Sequence, residues 1–405
     1  MPLHTSQLFA SSFAVGTDWR DTARAVLEDL EKARTEGDGF NIGFIYMTDT
    51  LVEHAQSILG LFRTVTGVDH WIGAVGLGVC GTGVSCIDDP AISAMIGRFP
   101  QDSFAVFPAV DFSIDAARKI LEGFSDDHEA ATLIVHGDPI SEMDPMSILS
   151  QLGQISEGFV VGGMSSSRSA HVHIADELMQ GGISGLALSQ DVPVATVVSQ
   201  GCAPIGDTHI ITKSEDNIIM ELDDRPAFEV FADDLRAMAT LKSGKDMSFE
   251  SADIMLAENG ELDAFQGEVH VAFPVSGADT KDYLVRNAIG IDPENGWIAV
   301  AQQVQNGERM MFVHRDDETV KADLSRALLD IRQRVIADQG KFAPRGAIYI
   351  SCVARTMSDF GEETNGELGL VQEVIGDIPL VGFYANGEIS NHRLYGYTGV
   401  LILFI

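Results

Sequence analysis

The chain reads as an α/β protein of two domains, with mixed sheets built around repeated strand–helix–strand units that end in Gly loops. Three observations predict this. Apolar residues make up 45% of the 405 residues and are spread evenly, so a core can form in each half. Three segments repeat the order strand, polar turn, helix, strand, then a loop of small residues. Between them lie short runs that alternate apolar and polar residues, the period of antiparallel strands.

The first helix signal opens at Asp18, with Ala23, Val26, Leu27 and Leu30 at helical spacing and Gly37 as its stop. A strand from Asn41 to Met47 follows. Thr48 or Asp49 then caps a buried helix from Leu51 to Thr64. A second strand, His70 to Val75, runs into GLGVCGTG. The same order returns as TLIVHGD, DPMSILSQLGQI and GFVVGG, ending in MSSSRS. It returns again as AIYISCVA, ELGLVQEVIG and IPLVGF, ending in YANGEIS. The paired strands start roughly 30 residues apart, the span of a βαβ crossover, which makes them parallel. The segments AHVHIADELMQGGISGLALS and VPVATVVSQGCAPIG read as antiparallel. So do EVHVAFPV, DYLVRNAIGID and GWIAVAQQVQNGERMMFVHR, with Asn306–Gly307 as a hairpin signal. ELDDRPAF, followed by the helix signal FEVFADDLRAMATL, places a domain boundary near Arg225. The expected domains are residues 1–226 and 227–405.

Composition excludes several functions. Lys and Arg number 26 against 60 Asp and Glu, a net charge of −34, and no basic run is present. Such a surface repels phosphate backbones and anionic lipid, so neither nucleic acid nor membrane is an expected partner. No stretch reaches the roughly 20 apolar residues of a membrane helix. The N-terminus lacks the basic start of a secretory signal. Four cysteines without paired spacing read as reduced thiols, and the expected compartment is the cytoplasm.

Several motifs carry candidate chemistry. Gly76, Gly78 and Gly81 form a GxGxxG, but a turn and Pro90 follow instead of a phosphate-binding helix, so a tight crossover loop is the better reading. No GxxxxGK[ST] is present. His171 and His173 share one face of a strand without a third ligand nearby, which reads as a solvated face and not a metal site. His136 and His314 each close an apolar run. Cys352 ends a strand three residues before Arg355, whose guanidinium would favour the thiolate. A nucleophile, a packed small residue and a ligand-lining group all remain open there. Asn386, Gly387 and Glu388 follow IPLVGFYA directly. Arg355 is a possible partner for Glu388, in an ion pair or a ligand clamp.

Several motifs in order then resemble the FIST (F-box and intracellular signal transduction) family: GCAPIGDTHIITKSEDNIIMELDDRPA, DYLVRNAIGID, SCVART, and IPLVGFYANGEIS with LYGYTGVLILF. The resemblance runs from about Gly39 to Phe404. It implies FIST N and FIST C domains and a sensory role in which a small ligand is bound for signal transduction. Since the sequence stops at Ile405, a separate signalling protein, such as a histidine kinase or cyclase, is the expected partner. Ala203 stands where the family commonly has Arg, and GLGVCGTG lacks the family's Gly-Glu pair. Some stand-alone members bind haem and sense nitric oxide beside a histidine kinase. No histidine here matches a family haem ligand, so haem is an alternative without an assigned residue.

The expected function is non-catalytic recognition of a small polar molecule such as an amino acid. Arg355, or Arg286 as second choice, takes its carboxylate, and Glu388 takes its ammonium. Backbone N–H groups around Gly387 and Gly201 allow close approach. A cysteine-dependent enzyme using Cys352 is the further alternative.

Overall fold

The computed structural model describes residues 8–36, 39–111, 113–127, 130–142, 144–156, 158–243, 269–275, 283–358 and 366–405. Gly37, Glu268 and Asp282, which bound three of the expected elements, lie outside them. Contacts divide the chain into two compact units, Met1–Gln200 with Leu324–Ile405, and Gly201–Asp323.

One succession of elements occurs three times in the first unit. It begins with β1 (Phe9–Val15), α1 (Trp19–Glu36) and β2 (Ile42–Thr48). A 3₁₀ turn (Asp49–His54) leads into α2 (Ala55–Thr66), then β3 (His70–Gly76), the hairpin β4 (Gly78–Gly81) and β5 (Val84–Ile87), and β6 (Ala91–Gly97). The second copy is β7 (Phe104–Val110), α3 (Asp115–Asp127), β8 (Ala130–Gly137), α4 (Pro145–Ser156) and β9 (Phe159–Met164). Hairpin β10 (His173–Ala175) and β11 (Glu177–Met179) and then β12 (Ile183–Ser189) complete it. β13 (Val194–Ser199) opens the third copy.

The second unit interrupts there. It runs through β14 (Ala203–Pro204), β15 (His209–Glu215), β16 (Ile218–Leu222), β17 (Arg225–Pro226) and α5 (Ala227–Ser243). It continues with β18 (Val269–Pro274), β19 (Tyr283–Asp292), β20 (Trp297–Val300) and β21 (Arg309–His314). The third copy resumes with α6 (Asp317–Gln339), β22 (Gly346–Cys352), α7 (Val353–Ser358), α8 (Gly366–Ile375) and β23 (Leu380–Ala385). Hairpin β24 (Glu388–Ser390) and β25 (Arg393–Tyr395) precedes β26 (Gly399–Phe404).

Each copy builds one mixed sheet: β1-β6-β2-β3-β10-β11, β7-β12-β8-β9-β24-β25 and β13-β26-β22-β23-β4-β5. The central pairs β2–β3, β8–β9 and β22–β23 are parallel, as the crossover spacing requires. The two strands at one end of each sheet are a hairpin lent by another copy. β10–β11 completes the first sheet, β24–β25 the second and β4–β5 the third, so the exchange closes in a ring.

The strands run apolar almost continuously because both faces are covered. One face of each sheet meets a shared core containing Phe44, Tyr46, Ile134, Val161, Ile350 and Phe383. The outer face of the first sheet packs on α1 and α2 through Leu27, Leu30, Ile58 and Phe62. That of the second packs on α3 and α4 through Leu121, Leu149 and Leu152. Asp144 caps α4, its carboxylate accepting from the backbone of Met146 and Ser147. GLGVCGTG supplies β4 and the turn of the β4–β5 hairpin, where a crossover loop was expected.

In the second unit, β21-β15-β16-β20-β19-β18 is antiparallel and closes on itself through a β18–β21 pairing. Phe231 and Leu235 of α5 join Ile211, Ile298 and Phe312 in its core. The Asn306–Gly307 turn differs from expectation. Its flanking strands do not pair with each other: Gly307 N–H donates to Ile211 O, and β20 and β21 bond to other neighbours.

Candidate functional site

The three sheets keep a common register, and that register locates a polar level inside the first unit. Ile45, Val135 and Tyr349 pair with Gly73, Gly162 and Gly382. One residue further on, Tyr46, His136 and Ile350 pair with Ala74, Gly163 and Phe383. The lent hairpins place His173, Glu388 and Val79 beside that second set. On the far side stand Ser93, Ser184 and Val400. Equivalent positions are therefore polar in the first two sheets and apolar in the third.

The side chains of this level meet in the core. Tyr46 Oη lies 3.1 Å from His136 Nε2. The Tyr46 ring stacks on Phe383 at 5.2 Å. His173 accepts from the Ser184 hydroxyl at Nδ1 (2.6 Å) and donates from Nε2 to the Gly181 carbonyl (3.1 Å), the pattern of a neutral imidazole. His173 is thus fully buried and not on a solvated face. The residues that cover it come from the second sheet, which local spacing does not reveal.

Burial drives both imidazoles down, His136 to about 3 and His173 to about 4, and each is held neutral. The unfolded imidazole titrates near 6.5, so their contribution to stability is full above that pH and is lost as pH falls toward 3. At pH 5 the His136 contribution is expected to cost about 2 kcal/mol relative to pH 7.5. His136→Gln, whose amide can still face Tyr46, removes this slope. Urea midpoints at the two pH values measure it, and an unchanged pH dependence in the variant refutes the assignment.

Glu388 is fully buried at the start of β24, one residue beyond Gly387, whose φ of 118° favours glycine. Its Oε2 accepts from the Thr398 hydroxyl at 2.7 Å and the Thr398 N–H at 3.1 Å. Its Oε1 is buried and has no hydrogen-bond partner among the described residues. Burial raises this carboxyl to about 8, against the lowering effects of Thr398, the Arg355 charge and, least, the Gly387 N–H. His136 Nδ1 is likewise buried without a partner. Gly163, with no side chain, separates the two residues in the sheet.

Arg355 is 0% exposed and pairs with Glu367, not with Glu388. Its Nε and Nη2 each lie 2.7 Å from Glu367 Oε1, and Nη1 donates to Ser199 O at 3.1 Å and Tyr397 O at 3.4 Å. Ser351 donates to the other Glu367 oxygen at 2.7 Å. Strand alternation explains this, since Ile348 and Ile350 face the shared core while Ser351 reaches α8. Cys352 is 7% exposed and bonds through its backbone N–H to Thr398 O. Arg286 and Gly201 belong to the second unit. Arg286 Nη1 donates to Val285 O at 2.8 Å, and burial lowers its pKa. Gly201 N–H donates to Asp323. Glu367 and Thr398 escaped the sequence reading, because nothing local to either marks it as the partner of Arg355 or Glu388.

The loops that follow β3, β9 and β23 converge at the carboxyl ends of the parallel pairs. Leu77 N–H donates to Ser166 Oγ at 2.9 Å, and Ser166 Oγ donates to Tyr384 O. Met164 N–H donates to Gly387 O, and Asn386 N–H to Met164 O. Strand ends of this kind are where α/β sheets place ligands.

The FIST N domain model matches residues 41–225 and the FIST C domain model residues 227–391. The chain belongs to the FIST family. FIST domains are associated with sensing in signal transduction. Two relatives extend the match over almost the full length. The uncharacterized protein Rv0628c of Mycobacterium tuberculosis is 26% identical over 400 residues, 95% of this chain and 97% of its own. The uncharacterized protein Mb0898c of Mycobacterium bovis is 24% identical over 399 residues, 95% and 96% of the two chains.

Haem, which the family suggests, needs an imidazole facing an apolar cleft. His136 and His173 are sealed in the FIST core, and the ≈490 Å³ cavity that His392 lines is bordered by Met146, Ser150, Gly153, Gln154, Asn391 and Arg393, of which Met146 is the one large apolar side chain. These residues do not fit haem. Among the described residues no cluster of three His, Cys, Asp or Glu could hold a metal, and no helix is long and apolar enough to cross a membrane.

Proposed function

We propose that this FIST protein is a sensor that binds a small polar molecule, an amino acid or a relative, at the carboxyl ends of the three parallel strand pairs. The observation that carries the reading is Glu388 Oε1, a buried oxygen that meets no donor in good hydrogen-bond geometry among the described residues. Burying such a group is costly, and a ligand ammonium would supply the missing partner. Gly387 lets a ligand approach the backbone, and Arg355 and Cys352 border the same strand ends. The Arg355 charge would complement a carboxylate. Entry requires the Met164–Ser166 and Ala385–Gly387 loops to part. That opening is a conformational equilibrium which occupancy shifts and a separate histidine kinase or cyclase can read.

Isothermal titration against the twenty amino acids tests the proposal. Glu388→Gln keeps the shape and removes the charge, and is expected to weaken the bound member at least about tenfold, the loss of a charged hydrogen bond. Arg355→Ala is less decisive, because it strands Glu367 in the interior. Binding by Glu388→Gln as tight as the parent's, or none by the folded parent, rejects the reading.

A further inference from the structure

The turn of the β24–β25 hairpin reaches α4, and a cavity of ≈490 Å³ lies between them. Ser390 pairs with Arg393, so the turn consists of Asn391 and His392, with φ of 48° and 63°. Both are left-handed, the backbone of a type I′ turn. Asparagine takes that conformation readily, but the second place suits glycine, and a ring there is held at a cost. The helix makes a matching concession. Gly153 lies inside α4, where alanine is the better helix former. A methyl group at Gly153 would stand 2.5 Å from His392 Cε1 and Nδ1. Two locally unfavourable residues thus seat one imidazole against the helix. Leu394 N–H donates to Met146 Sδ at 3.3 Å and fastens the hairpin beside it.

The seated imidazole is incomplete. His392 Nδ1 is buried and meets no hydrogen-bond partner in good geometry among the described residues. Met146, Ser150, Gly153 and Gln154 line the cavity from one stripe of α4, and Asn391, His392 and Arg393 line it from the hairpin. Acidic residues outnumber basic ones 60 to 26 in this chain, yet neither a carboxylate side chain nor a chain terminus lines this cavity. Arg393 makes no ion pair among the described residues. Its charge is the one that acts on His392, and with burial it holds the imidazole below its usual range. The walls therefore offer one guanidinium and several neutral donors, a set complementary to an oxyanion. Phosphate suits it better than carboxylate, because its oxygens diverge and can accept from helix and hairpin together. The volume lies in the range of small-molecule sites.

We propose that this cavity binds phosphate, free or as the monoester of a small molecule. Arg393 holds the charge, His392 Nδ1–H donates to one oxygen, and Ser150, Gln154 and Asn391 donate to the others. Met146 offers contact to an organic body. The site is separate from the Glu388 one, since Glu388 opens β24 and the turn follows its last residue, Ser390.

Titration calorimetry of the full chain with inorganic phosphate and glycerol 3-phosphate tests it, using acetate and glycerol as controls. At least one phosphate is expected to bind, to weaken with added salt, and to bind at least tenfold more tightly than acetate. Tighter binding of the ester assigns the organic body to the Met146 wall, and equal affinities assign the site to phosphate alone. Arg393→Gln and His392→Gly, the latter suited to the left-handed turn, should each weaken binding at least tenfold, while Glu388→Gln leaves it unchanged. Failure of both phosphates to bind the folded parent overturns the proposal. So does acetate binding as tightly as the better phosphate, or undiminished affinity in Arg393→Gln or His392→Gly. Loss in Glu388→Gln alone would place the phosphate at the strand ends and also overturn it.

Discussion

Alanine at Gly73, Gly162 or Gly382 is expected to remove more than about 3 kcal/mol of folding free energy, while alanine at Gly60 adds stability. The three glycines hold the same register position in the three parallel pairs. A methyl group there would sit 1.7, 1.8 and 1.7 Å from the carbonyl oxygens of Ile45, Val135 and Tyr349. Those oxygens belong to the partner strand, and moving one shifts a sheet that is packed on both faces. Gly60 lies mid-helix in α2 with nothing within 4 Å of an added methyl, so its change mainly restrains the unfolded chain, worth about 0.5–1 kcal/mol. Domains are stable by roughly 5–15 kcal/mol, so each of the three losses is readable as a fall in urea midpoint or soluble yield. If Gly73→Ala, Gly162→Ala and Gly382→Ala melt with Gly60→Ala, the close approach is not a constraint. A large loss at one site and not the others would sink the equivalence of the three copies.

That equivalence also shows what the primary structure could reveal. The strand–helix–strand units were legible because a parallel pair buried on both faces must be apolar throughout and must be joined by a long crossover. AIYISCVA and IPLVGF satisfy this as plainly as the strands around Phe44 and Ile72. Their assembly was not legible. The third copy is split by Gly201–Asp323, and every sheet is finished by a hairpin from elsewhere, a pairing without a local signal. His173 shows the consequence, since its cover comes from Ser184 and Gly181 across a sheet boundary. Arg355 and Glu388 were both found at strand ends, yet sequence distance does not say which side of a strand end each side chain takes. Glu367, twelve residues beyond Arg355 and on α8, takes the guanidinium.

Glu388→Gln is expected to gain about 4 kcal/mol on the parent as pH rises from 5 to 9, measured as the change in their difference in unfolding free energy. The carboxyl titrates near 4.5 when unfolded and at about 8 when folded, because desolvation outweighs the two bonds from Thr398, the charge of Arg355 and the Gly387 N–H. A folded pKa above the unfolded one means that stability is fully present below pH 4.5 and is lost as pH rises through 8. Glutamine does not titrate and can keep the bond to Thr398, so only the parent weakens. Equal pH dependence of parent and variant in urea titrations would mean that Glu388 is ionised in the fold, with a donor on Oε1. The same carboxyl links stability to recognition. A ligand ammonium that supplies the missing donor favours the carboxylate, so binding at pH 7 should release a proton from Glu388. Calorimetric enthalpies in buffers of different ionisation heat would register that proton for the parent and lose it for the glutamine variant, where a ligand held elsewhere would leave both chains alike.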